Sequence, residues 1–205
     1  MRAVLRSLLP HPCPGCGRPL SGRAGLCPSC DATLHLTVVA HTVLRPDVTP
    51  HLICLGEYRG PLRRAIREMK YGGAREVAEV FGRALGRGVP EGWQIGAVTP
   101  VPLHPRREQE RTFNQAGAVA HALAEEADLP LRELLTRSRF TSAQAKLHAG
   151  ARVHNLDGAF EPRAPCSGQV LLVDDVLTTG ETLRACTAAL RAGGARAVYY
   201  AVIAR

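Results

Sequence analysis

The stretch "VLLVDDVLTTGETL", residues 170–183, runs four apolar residues into the adjacent carboxylates Asp174 and Asp175, then into threonines around Gly180. An apolar run this short, bounded by polar residues, reads as a buried strand over Gln169–Val173. Helical spacing resumes at Glu181 and continues to Ala192, and a Gly-Gly turn then leads to a second strand over Ala197–Ile203. Strand, helix and strand in that order specify an α/β fold with a mainly parallel sheet.

The same alternation extends upstream. "ICLGEY" from Ile53 reads as a strand, and "PLRRAIREMKY" as a helix with Pro61 in its first turn. "AREVAEVFGRALGRG" is a second helix, with Val77, Val80, Phe81 and Leu85 on one face. "IGAVTPVPL" resumes a buried strand, and "NQAGAVAHALAEEAD" is an alanine-rich helix with Asn114 at its N-cap. Between Leu135 and Phe160 this rhythm fails, and a polar, basic segment of that length inside a compact domain is typically functional or disordered. There is no internal repeat and no low-complexity tract.

Hydrophobic residues at 45% and charged residues at 21% of 205 residues exclude a disordered or fibrous chain and suit one substantial domain with a small appendage. Arg6 interrupts the apolar residues of the N-terminus and Pro10 ends them, so no secretory leader is expected there. No apolar run is long enough to span a bilayer, and the expected compartment is the cytoplasm. A formal charge of +8 and a pI near 9.5 fit either a polyanionic partner or a solvated basic surface.

Residues 11–30 are dense in Cys, Gly and Pro, which makes them a turn-rich knob. Cys13, Cys16, Cys27 and Cys30 form two C-x-x-C pairs separated by ten residues, offering four thiolates to one tetrahedral ion. Zinc suits an all-sulfur set because it is borderline-soft and redox-inert; an iron centre competes for the same ligands. Disulfides are disfavoured in a cytoplasmic protein, and a redox C-x-x-C does not ordinarily come in pairs. A closed four-ligand site would be structural, and His11, His35 and His41 are not needed as ligands. Cys54, Cys166 and Cys186 are isolated and read as small buried hydrophobes. The boundary falls near residue 40, giving a metal-binding module with its linker over 1–40 and an α/β domain over 41–205.

In an open parallel sheet, ligands bind beyond the carboxyl ends of the strands, where Asp174 and Asp175 are expected. Adjacent carboxylates repel and must be met by hydroxyl donors or a cation. The loop that follows leads into a helix N-terminus that favours an anion, with Thr178, Thr179 and Thr182 as donors and Gly180 permitting close approach. A vicinal diol for the acids and a phosphate for the loop are both present in a ribose 5-phosphate group. The plainer alternative is a capped helix after a strand, with solvated or salt-bridged aspartates. No G-x-x-x-x-G-K-[ST] occurs, which excludes a P-loop triphosphatase.

The segment 170–183 resembles the phosphoribosyl-pyrophosphate (PRPP) signature of type I phosphoribosyltransferases. The paired C-x-x-C knob, "IREMKYGG" at 66–73, "TPVPLHPRREQERTFNQ" at 99–115, "QAKLHAGARVHNLDGAF" at 144–160 and the terminal "AVIAR" narrow the resemblance to the ComF family. It implies a type I phosphoribosyltransferase core with an N-terminal zinc finger. By that resemblance Asp174 and Asp175 bind the ribose hydroxyls of PRPP, while Val176, Leu177, Thr178, Thr179, Gly180, Glu181 and Thr182 wrap its 5-phosphate. The loop "PVPLH" at 100–104, with Pro102, Leu103 and His104, lies on the pyrophosphate side, and Lys70 matches the family's K-Y-x-G pattern. Arg137, Gln144, Lys146, Arg152 and Asn155 belong to a flexible loop over the site. One departure is Thr112, which stands where the family's R-G-F-N-Q has Gly.

The resemblance further implies a structural Zn2+, a Mg2+ that accompanies PRPP, and displacement of pyrophosphate from C1 by a nitrogen nucleophile. Family members are linked to DNA uptake in natural transformation. A rival reading keeps the transferase site as vestigial and assigns the knob and the arginines to single-stranded DNA or a helicase partner. An oligomer is compatible with either.

Overall fold

The computed structural model describes residues 12–20, 25–40, 42–44, 49–103, 113–138 and 158–205. In chain order its strands are β1 (Thr37–Val39), β2 (Leu52–Cys54), β3 (Ile95–Pro100), β4 (Leu135–Arg137), β5 (Phe160–Pro162), β6 (Gly168–Val176) and β7 (Ala195–Ala204). The α-helices are α1 (Pro28–Asp31), α2 (Gly60–Arg67), α3 (Arg75–Gly86), α4 (Gln115–Glu126) and α5 (Glu181–Ala192). Five strands form one sheet in the order β1-β2-β7-β6-β3. Within this sheet the β1–β2 pairing is antiparallel, whereas β2–β7, β7–β6 and β6–β3 are parallel.

Both faces of the sheet are covered, which is why its central strands are continuously apolar. In β6, Leu171 and Val173 face a core shared with Phe81 and Leu85 of α3 and Val119 and Leu123 of α4. Val170 and Leu172 face the opposite core, with Leu183, Cys186 and Leu190 of α5. Each fully buried leucine contributes roughly 1.5–3 kcal/mol, so this alternation strongly disfavours a one-residue slip in β6.

Where the structure departs from the sequence-based expectations, tertiary pairing supplies the reason. The strand expected to stop at Val173 continues to Val176, because Asp174 and Val176 still pair with Val202 and Ala204 of β7. The helix expected through Tyr71 is α-helical only to Arg67 and then widens into a π turn over Glu68–Gly72, closed by Gly73 at φ 70°. Asn114 occupies the N-cap of α4, yet its side chain does not cap: Nδ2 donates to the carbonyl of Val101 at 3.2 Å. The segment expected to be irregular from Leu135 is closed at its neck, where Leu135, Thr136 and Arg137 pair antiparallel with Pro162, Glu161 and Phe160.

The cysteine knob forms a small cluster of its own. Its first knuckle closes with Gly17 N–H donating to the carbonyl of Cys13 at 2.7 Å, and the second is carried by α1. Among the described residues, no helix is long and apolar enough to cross a membrane.

Candidate functional site

β6 is flanked by parallel neighbours, so Asp174 and Asp175 lie at the carboxyl end of the sheet. The two acids are locally organised: the N–H of Asp175 donates to Oδ1 of Asp174 at 2.8 Å. Asp175 also receives a cation, since Lys70 Nζ lies 2.8 Å from its Oδ2. The side chains of this pair are only 15% and 17% exposed, so the attraction is far less screened than at an open surface. The π turn after α2 bears Lys70 on a winding anchored by the fully buried Met69, and such turns recur at functional sites.

After the acids the chain turns sharply. Leu177 N–H bonds to the carbonyl of Ala204 at 2.9 Å, Thr178 and Thr179 are exposed, and Gly180 adopts φ 78° and ψ 0° as the N-cap of α5. Asp174 and residues 176–183 line a concavity of about 30 Å3 at this helix N-terminus. Helix geometry leaves the first N–H groups of α5 without intrahelical partners, which makes the concavity attractive to an anion. Pro100 ends β3, and Val101, Pro102 and Leu103 follow it next to the acids, with Val101 N–H donating to the carbonyl of Val173 at 2.9 Å. His104, Gln144, Lys146, Arg152 and Asn155 lie outside the described residues, as do Arg111 and Thr112.

Arg137 is corrected in placement: it lies on β4 rather than in a loop, with its guanidinium carbon 5.2 Å from the centroid of the Phe160 ring. It shares a neighbourhood with Asp174 around the buried Cys186. Burial pushes that thiol well above its ordinary range, the Asp174 carboxylate adds to the rise and the Arg137 guanidinium opposes it. Burial likewise raises Cys54, and Cys54 and Cys186 are the buried apolar fillers expected, whereas Cys166 is only partly buried and its thiol donates to the carbonyl of Leu190 at 3.4 Å.

At the knob, the sulfurs of Cys13, Cys16, Cys27 and Cys30 all lie within 4.8 Å of one another, a cluster compatible with a structural zinc ion. Packing is tight, since a Cβ on Gly15 would meet Cys30 Sγ at 2.8 Å. Burial tends to raise the Cys13 thiol, but the N–H groups of Cys27, Cys16 and Gly15 and the Cys27 thiol outweigh it and lower Cys13 to about 6. Cys30 is pushed far up by burial, by the neighbouring thiols and by the charge of Cys13. One thiolate therefore opposes the next until a cation joins them. Arg64 Nε donates to the carbonyl of Gly15 at 2.6 Å and ties the knob to α2. A groove of about 590 Å3 separates the two, bordered by Pro12, Cys16, Arg67 and Glu76.

Sequence reasoning missed two residues at the main site. Asn114 bonds to Val101 beside the acids, and Arg184 reaches from the first turn of α5 to the carbonyls of Val43 and Thr179 at 2.7 and 2.8 Å. For Arg184 a signal existed: a cation in the first helical turn opposes the helix dipole and calls for a partner outside the helix.

The chain is similar to known proteins. The Phosphoribosyl transferase domain family matches residues 114–205, which hold α4, β6, α5 and β7. The "DNA utilization protein YhgH" of Escherichia coli (strain K12) is 31% identical over 196 residues, covering 91% of this chain and 86% of its own length. "Competence protein F" of Haemophilus influenzae is 30% identical over 165 residues, 75% of this chain and 72% of its own. "Competence protein ComFC" of Bacillus subtilis (strain 168) is 27% identical over 186 residues, 89% of this chain and 72% of its own. Among solved structures, the glutamine PRPP amidotransferase from B. subtilis complexed with ADP and GMP has a TM-score of 0.46 at 18% identity, covering 67% of this chain and 30% of that chain.

Proposed function

Because the chain belongs to the ComF family of phosphoribosyltransferase-like proteins, we propose that it binds PRPP with Mg2+ and transfers or holds the phosphoribosyl group. Its mainly parallel sheet is the type I phosphoribosyltransferase fold. The observation that carries the proposal is the convergence, at the carboxyl end of β6, of Asp174, Asp175 and Lys70 with the concavity lined by Val176–Leu183.

In this reading the acids accept hydrogen bonds from the ribose 2- and 3-hydroxyls. The N–H groups and threonine hydroxyls of 178–182 cradle the 5-phosphate, and Pro102, Leu103 and His104 flank the pyrophosphate. Transfer breaks the bond from C1 to pyrophosphate oxygen, the electron pair leaving with pyrophosphate. A nitrogen lone pair forms the new bond at C1, and the nitrogen releases its proton to solvent. The ring carries positive charge in between, which the nearby carboxylates stabilise. Asp174 and Asp175 would hold a Mg2+ that would neutralise the leaving group when bound, and Asp175 already meets one cation, Lys70, at 2.8 Å. Lys70 holds Asp175 in place and is positioned to turn toward ligand phosphate.

The reading divides the chain into a zinc-bearing module with its linker over 1–40 and the transferase-like domain over 41–205, with β1 of the linker adding an antiparallel edge strand to the domain's sheet. The four-sulfur donor set fits Zn2+ as a closed, structural ligand field held by Cys13, Cys16, Cys27 and Cys30.

Calorimetric titration with PRPP plus Mg2+ tests the proposal. Binding that Asp175→Ala abolishes or greatly weakens is expected; no binding, or binding indifferent to that change, overturns it. Pyrophosphate release measured across candidate nitrogen acceptors then separates transfer from simple holding.

A second reading, DNA handling, draws on the names of the relatives and on exposed Arg59, Arg63, Arg64 and Arg67 along α2. A mobility-shift series with single-stranded DNA should give affinity that falls steeply with salt. Absent or salt-insensitive binding counts against it.

A further inference from the structure

We infer that Arg184 is a positioning residue for the 5-phosphate loop, locking the Thr179–Gly180 peptide in the one of its two orientations that accepts an anion. The inference rests on the ribose 5-phosphate reading of that loop. At φ 78° and ψ 0°, Gly180 has the geometry of the third residue of a type II turn. A type I turn differs by a flip of the peptide before that residue, and glycine tolerates both forms. The residue alone therefore leaves two orientations open.

Arg184 selects between them. Its Nη2 donates to the Thr179 carbonyl at 2.8 Å, and its Nη1 donates to the Val43 carbonyl at 2.7 Å. A trans peptide carries its C=O and N–H in opposite directions, so a carbonyl held toward Arg184 turns the Gly180 N–H the other way, toward the concavity. In the flipped form a carbonyl oxygen would face the phosphate and repel it. The strap at 42–44 reinforces the choice. A Cβ on Gly180 would meet Leu44 Cδ2 at 2.8 Å and Val43 Cγ2 at 3.1 Å, so the strap lies directly against the turn. Its own shape is held by Leu44 N–H donating to Thr42 Oγ1 at 3.0 Å, and by a 2.8 Å hydrogen bond between that hydroxyl and Nε2 of buried His51. Arg184 thus gives one N–H of each terminal nitrogen to a backbone carbonyl, and this two-carbonyl fork is the geometry of a brace.

The test compares the full chain with Arg184→Ala and Arg184→Lys. Three quantities are measured: the Kd for ribose 5-phosphate, the Kd for pyrophosphate, and amide hydrogen exchange over 177–184 without ligand. Arg184→Ala should weaken ribose 5-phosphate by about ten-fold or more, as expected for loss of charge-assisted hydrogen bonds, and leave pyrophosphate unchanged. Exchange at Leu177 and at residue 184, whose N–H groups donate to the carbonyls of Ala204 and Gly180, should accelerate, and Lys, which cannot brace two carbonyls in a fixed fork, should restore only part of either effect. Unchanged affinity with unchanged exchange overturns the role, as does lost affinity with unchanged exchange, which would make Arg184 a direct phosphate ligand. A wild-type chain that ignores ribose 5-phosphate refutes the ligand reading instead. Exchange at Leu177 and at residue 184 still decides on Arg184 in that case, acceleration supporting the brace and no change overturning it.

Discussion

Lys70 Nζ and Asp175 Oδ2 meet at 2.8 Å, joining the π turn after α2 to the carboxyl end of β6. This contact brings a cation from the first half of the domain to an acid in the last third, and it makes the acid pair tenable without a ligand. The first prediction concerns this contact. Lys70→Ala leaves Asp175 partly buried without that cation, which should cost about 1–3 kcal/mol of stability. Denaturant unfolding measures this, and PRPP titration of the same variant should show weaker binding. A variant as stable as the wild type would show that solvent compensates the acid fully.

Gly180→Ala forces an L side chain to φ 78° and drives its Cβ against Leu44. The left-handed backbone alone should cost about 1–2 kcal/mol, with the contact adding to it. A chain of this size should lose a few degrees of Tm, and ribose 5-phosphate binding should fall with it. Differential scanning calorimetry and titration read the two effects separately.

The four-cysteine cluster should hold one metal ion per chain, countable by elemental analysis. Any single Cys→Ser change at positions 13, 16, 27 or 30 should abolish stoichiometric binding. Because the ligands bind as thiolates, affinity should fall as pH is lowered. A chelator should unfold the knob while the sheet signal in circular dichroism persists, since the knob cluster is separate from the two large cores.

Thiol labelling should divide the seven cysteines by environment. In metal-free protein Cys16 is exposed and should react first. Cys186 and Cys54 should stay unlabelled until the chain unfolds, even in mildly alkaline buffer, because burial both shields them and raises their thiols. Rapid native labelling of Cys186 would contradict the packing of α5 on the sheet.

The elements legible in the sequence are those whose cause is local. Gln169–Val173 reads as a strand because it is a short apolar run, Glu181–Ala192 as a helix because its apolar residues recur at helical spacing, and the four cysteines announce themselves by spacing. The acids and the threonine loop are contiguous, so their proximity needs no fold to create it. What stayed hidden depends on chain segments meeting across the sheet. No periodicity in "TRSRF" places Arg137 on a strand; the Arg137–Phe160 pairing does, across a segment whose own residues lack regular pattern. Asn114 has the composition of a cap, but the nearby Val101 carbonyl claims its amide.

The sequence by itself determined the α/β alternation, the adjacent acids with their anion-suited loop and the sulfur set of the knob, because each follows from residue type and short-range spacing. Only the tertiary structure decided that Lys70 answers Asp175 and that Arg184 braces Thr179 against Val43. Both contacts join residues far apart in the chain, and strand order and packing, which no local pattern encodes, bring them within hydrogen-bonding distance.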